Sequence, residues 1–96
     1  MSGFSVAKQA ADAFNRHGKF TARTLDPEHT VEVRYADTGD IAATVWVPSG
    51  LTASATDQWM WLAGYPGGGI RYMPKETPLD VLVPAVATHV LDESKR

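Results

Sequence analysis

The groups able to do chemistry in this chain are three histidines, eleven carboxylates, five serines and a Gly67-Gly68-Gly69 run. Their spacing organises none of the usual reactions. His17, His29 and His89 fall in three separate segments, without the i,i+4 pairing that sets two imidazoles on one helix face around a metal. Asp26-Pro27-Glu28-His29 is the densest set of candidate ligands, and a solvated turn accounts for it more simply. Pro48-Ser49-Gly50-Leu51 lacks the glycine pattern of a nucleophile elbow. Glu28 and Glu32 lie in a loop and a strand, with nothing nearby to raise a carboxyl pKa for acid–base work. The three glycines lack the Lys-Ser or Lys-Thr of a phosphate cradle, and Ile70-Arg71-Tyr72 behind them reads as a strand, so the run reads as a hairpin tip. The expectation is no enzyme, no catalytic residues, no metal site and no cofactor.

What is unusual is aromatic. Trp46, Trp59, Trp61, Tyr65 and Tyr72 crowd one stretch that holds every tryptophan of the chain. Tryptophan and tyrosine anchor protein interfaces, because each pairs a large apolar body with a hydrogen-bonding tip. In the segment 58–62, Trp59 and Trp61 alternate with Met60 and Leu62, so both faces are apolar. Either pair fits a core, and either fits an exposed patch. Trp46 points opposite to Val45 and Val47; if helices cover the valine face, Trp46 lies on the open one. The expected partner-binding set is Trp46, Trp59, Trp61, Tyr65, Arg71 and Tyr72, with Trp46 and Tyr72 as anchors and Arg71 and Arg34 as polar rim.

Charge narrows the partner. Nine basic and eleven acidic residues give a net charge of −2, and residues 1–50 and 51–96 each carry −1. An aromatic patch without a basic field suits a protein partner, or a second copy, better than nucleic acid. The competing reading is a single-stranded nucleic-acid binder, with Lys19, Arg23, Arg34, Arg71 and Lys75 aligned along one sheet edge beside Trp46 and Trp61. Nearby Glu28, Glu32, Asp37 and Asp40 weigh against it. The absence of cysteine excludes disulfide scaffolds, thiolate catalysis and cysteine-ligated metals, and fits a reducing cytoplasm. The start lacks a basic stretch followed by an apolar run, and no apolar stretch approaches the roughly 20 residues of a membrane helix. Thirteen alanines and nine valines against two isoleucines and one asparagine point by codon usage to a GC-rich bacterial, phage or plasmid genome.

The elements that must position the aromatics follow from periodicity. Residues 5–17 read as a helix with Val6, Ala10, Ala13 and Phe14 on one face, Ser5 as N-cap and Gly18 as stop. Residues 20–25, 30–35 and 41–47 read as strands, with Asp37-Thr38-Gly39-Asp40 turning the second into the third. Ile41, Ala43, Val45 and Val47 share a face in that reading. Leu51–Asp57 reads as a polar loop, and 58–62 with 70–73 as a further hairpin. Thr77-Pro78-Leu79-Asp80 opens a second helix with a Thr cap, and Leu79, Leu82, Val83, Val86 and Val90 mark its apolar face. Pro84 should kink it or split it in two. The expected fold is one α+β domain over 1–96: an antiparallel sheet of four to five strands, a helix at each end of the chain on one face, and frayed ends at about 1–4 and 92–96. This order resembles that of double-stranded-RNA-binding domains in topology alone. Lys75-Glu76-Thr77-Pro78-Leu79-Asp80 stands where that family opens its last helix with a basic motif, so its function is not carried over. The functional expectation is a small non-enzymatic protein-binding or accessory protein of mobile-element type, acting through an aromatic sheet face.

Overall fold

The computed structural model describes residues 6–25, 29–48 and 58–93. The expected Ser5 cap, most of the Asp26–His29 turn, Ser49, the 51–57 loop and the outermost residues of both ends lie outside them. The elements run α1 (Val6–His17), β1 (Phe20–Leu25), β2 (Thr30–Tyr35), β3 (Ile41–Trp46), β4 (Gln58–Ala63), β5 (Ile70–Pro74) and α2 (Leu79–Ala87), which passes into a π-helical turn over Thr88–Asp92. The strands form one antiparallel sheet in the order β1-β2-β3-β4-β5. This is the α+β arrangement that the alternating patterns predict.

One face of the sheet carries the core. Phe20, Ala22, Val31, Val33, Tyr35, Ala43, Val45, Trp59, Trp61 and Ala63 are buried there beneath the two helices. Helix α1 contributes Ala7, Ala10, Ala11 and Phe14, so its inner stripe starts one residue later than Val6 and leaves that side chain exposed. The small alanines let the helix axis lie close to the sheet, while Phe14 meets Phe20 edge-on at 5.9 Å. Helix α2 buries Leu82, Val83, Val86 and Ala87, and the π turn adds His89 and Val90. The Tyr35 hydroxyl donates to the Val90 carbonyl at 2.6 Å, tying β2 to the end of the helix.

Three local expectations change. The N-cap of α2 is Pro78, with no side-chain hydrogen bond from a cap, so Thr77 does not perform that role; its N–H closes a turn onto Pro74 instead. Helix α2 runs through Pro84, whose ring lies on the exposed side, and the change of helix type falls a turn later. There Glu93 N–H reaches back five residues to the Thr88 carbonyl. Asp92 and Glu93 belong to ordered structure rather than to a frayed tail, because Arg71 holds Glu93.

The sheet edges are treated differently. The outward N–H and C=O of Ala22 on β1 are both taken by the side-chain amide of Asn15, each at 2.9 Å. Asn15 thus stands in for a neighbouring strand at the middle of that edge. Across the sheet, register shifts between Val33 and Arg34 on β2, so Arg34 lies opposite Ile41 while Val33 lies opposite Ala43. This bulge places Ile41 on the side of Arg34, away from Ala43 and Val45, and Ile41 is exposed where an unbroken alternation would bury it.

Candidate binding surface

Register assigns the second face of the sheet residue by residue. Thr30, Trp46, Met60 and Tyr72 lie opposite one another from β2 to β5, and Glu32, Thr44, Leu62 and Ile70 form the next row. Neither described helix covers these rows. Antiparallel sheets with one open face normally put polar residues on it. Here Leu62 is 41% exposed, Ile70 49% and Tyr72 51%, with Trp46 and Met60 half-buried between them. The β3–β5 half is a continuous apolar and aromatic surface.

The β1–β2 half is ionic. Glu32, nearly buried, receives Arg34 Nε at 2.9 Å and Arg23 Nε at 3.1 Å on one carboxylate oxygen. Arg34 also donates to the Gly39 carbonyl at 2.7 Å, which fixes the guanidinium against the β2–β3 turn. The Arg34 hydrogen bond, more than the charge of Arg23, holds the Glu32 carboxyl below its ordinary value of 4.5 against the opposing effect of burial, and Arg34 is raised in return. With its folded pKa depressed, Glu32 adds stability that is complete above about pH 4.5 and is lost as pH falls through the folded value. Glu32→Gln should therefore have a lower urea midpoint than wild type at pH 7, and the gap should narrow progressively as pH falls below about 4.5. A gap that persists at acid pH would show that the substitution acts through packing instead.

The six aromatic and arginine positions singled out from the sequence separate into three groups. Trp46 and Tyr72 lie on the open face. Trp59 and Trp61 do not: they are 3% and 2% exposed, on the helix side, because Trp61 lies opposite Val45 and Trp59 shares its face. Tyr65 is half-buried beyond the end of β4, its ring edge-on to His89 at 5.8 Å and its hydroxyl donating to the His89 carbonyl at 3.3 Å. Arg71 lies opposite Trp61, so it too is on the helix side, at the outer edge, where it grips Glu93 through both terminal guanidinium nitrogens. The open face instead draws in Met60, Leu62 and Ile70, which complete the patch around Trp46 and Tyr72.

His89 proves to be a structural residue. It has no exposed surface; its Nδ1 accepts from the Trp61 indole N–H at 2.9 Å, and its Nε2 lies 2.9 Å from the Gly68 carbonyl. An indole nitrogen only donates, so Nδ1 carries no proton and Nε2–H donates to Gly68. The glycine loop is thus the acceptor that fixes this tautomer, with Gly67 and Gly69 both at positive φ on either side. Among the described residues no three His, Asp or Glu side chains come together as a metal site would require. None of the described helices is long and apolar enough to cross a membrane.

With fold and surface in hand, comparison with known proteins finds no matching family model, no matching curated protein and no matching solved structure.

Proposed function

We propose that this is a small non-enzymatic binding protein whose open sheet face, centred on Trp46, Met60, Leu62, Ile70 and Tyr72, seats a protein partner. The observation that carries this reading is the composition of that face: a contiguous apolar surface on a domain whose other sheet face is already packed. Aromatic anchors among aliphatic side chains, bordered by the fixed Arg23–Glu32–Arg34 group, match the apolar centre and polar rim of protein interfaces. Nothing favours a nucleic-acid strand on the same face. Arg23 and Arg34 share Glu32, which leaves that group at +1, and Arg71 is paired one-to-one with Glu93, so the face carries little of the positive charge that phosphates need.

The test is capture of host proteins on immobilised chain, followed by affinity measurement with the purified captured protein. Leu62→Glu and Tyr72→Glu should each weaken binding by about tenfold or more. Val81→Glu makes the same kind of change at an equally exposed apolar position on α2 and should leave binding unchanged. Binding indifferent to both face variants would remove the open face from the function.

A further inference from the structure

We infer that the edge strand β5 pairs with β5 of a second copy, joining two sheets about a two-fold axis. The open and closed edges of the sheet point to this partner. On β1, Asn15 occupies the outward main-chain groups of Ala22, which bars an incoming strand. On β5 the hydrogen-bond alternation runs from Ala63 N–H to the Gly69 carbonyl at 3.0 Å, with Leu62 opposite Ile70 and Met60 opposite Tyr72. In an antiparallel ladder, bonded and non-bonded pairs alternate, so the N–H and C=O of Ile70 and of Tyr72 point away from β4. The chain thus offers a strand on one side only.

That strand is complementary to itself. Placing Ile70 opposite Tyr72 of the other copy, and Tyr72 opposite its Ile70, satisfies every outward N–H and C=O of both residues. Pro74 has no N–H, and its carbonyl already accepts from Thr77, so the ladder ends where the matched groups end. On the open face the pairing sets a β-branched side chain against an aromatic ring, a favourable cross-strand combination. It also continues the row from Leu62 across to the other copy's Met60 and Trp46. On the helix side, Arg71 faces its own symmetry mate. Two arginines directly opposed would repel, but each is already held by Glu93, at 3.0 Å in one of its two bonds, and that carboxyl lies below its ordinary range because of Arg71. The pairing therefore brings together two Arg71–Glu93 pairs, each neutral as a unit. Because β1 is closed, association stops at two copies instead of growing into a filament. The result is a dimer with one double-length apolar face.

Sedimentation equilibrium from about 5 μM to about 1 mM, with residue-resolved amide exchange over the same range, tests this. Wild type should pass from monomer to dimer and no further. Exchange at Ile70 and Tyr72 should slow as dimer forms, while Ala22, clamped by Asn15, exchanges at one slow rate throughout. Ile70→Pro removes an N–H that β4 does not use, a place where an edge strand tolerates proline, and should leave a folded monomer. Ile70→Lys keeps the N–H, sets a guarding charge on the edge and should weaken dimerisation by tenfold or more. Glu93→Arg should do the same by leaving like charges opposed. A wild-type monomer at 1 mM, a dimer untouched by both Ile70 variants, or growth beyond two copies would each overturn the pairing. The pairing does not rest on the open-face reading. A monomer that loses its partner on Leu62→Glu overturns the pairing alone. A dimer blocked by Ile70→Pro stands even where Leu62→Glu leaves partner capture unchanged.

Discussion

Gly64→Ala should destabilise the domain by about 3 kcal/mol or more, the largest loss expected from a Gly→Ala change among the described glycines. The reason is the bulge in β3. Where register shifts, the Ile41 carbonyl turns toward the end of β4, and Gly64 donates its N–H to the adjacent Ala42 carbonyl at 2.8 Å. A Cβ on Gly64 would overlap the Ile41 carbonyl oxygen and lie 2.8 Å from its carbon. Those neighbours are main chain, so no side chain can swing aside. Either β3 moves, which disturbs its pairing with β2 and β4, or the Gly64–Ala42 hydrogen bond breaks. Gly39→Ala supplies the contrast. Gly39 has φ of +80° with nothing within 4 Å of its missing Cβ, so alanine there carries only the strain of a left-handed backbone, about 1 kcal/mol. Urea unfolding of both variants checks the ranking. Equal losses would mean that conformational preference alone, and not close approach, retains glycine at 64.

The same bulge shows where sequence patterns stop determining structure. In β2 the alternation of Val31, Val33 and Tyr35 with polar residues fixes which face is buried, since a one-residue slip would bury Arg34. In β3 the identical argument misplaces Ile41, because one extra residue on the strand reverses the alternation and leaves no mark in composition. In β4 every residue from Trp59 to Leu62 is apolar, so periodicity has nothing to choose between. The choice comes from register with β3, Val45 opposite Trp61, and the long connection between those strands does not encode that register locally. Consequently Trp46 could be placed on the open face from pattern, whereas Tyr72, Met60, Leu62 and Ile70 needed the sheet. Arg71 and Glu93 are distant in sequence, so a carboxylate that orders the end of the chain reads in one dimension as part of a charged tail. Asn15, the one asparagine, looks like another polar residue on a helix until β1 is laid beside it.

His89 offered no local signal either, and its replacement is the second large effect expected. His89→Phe keeps most of the ring volume, so its cost reports hydrogen bonds more than a cavity. It strands the buried Trp61 indole N–H and the part-buried Gly68 carbonyl. Each buried group left without a partner costs about 1–3 kcal/mol, giving a combined loss of about 3 kcal/mol. In a domain of this size, where total stability is of order 5–15 kcal/mol, that lowers the melting temperature by about 15 °C. Trp61→Phe leaves the other end of the same bond unpaired, with His89 Nδ1 as an acceptor lacking its donor. The two substitutions together orphan fewer groups than their sum, so a double-mutant cycle should show a coupling of about 1 kcal/mol or more. Trp59→Phe is the control, because it removes a ring of the same size from the same strand and face. Its indole N–H is buried with no partner among the described residues, so its loss breaks no hydrogen bond and relieves a desolvated donor. Trp59→Phe should therefore cost about 1–2 kcal/mol less than Trp61→Phe. Equal costs for the two tryptophans, together with additivity in the cycle, would mean that His89 is retained for its shape and not for holding the glycine loop to the core.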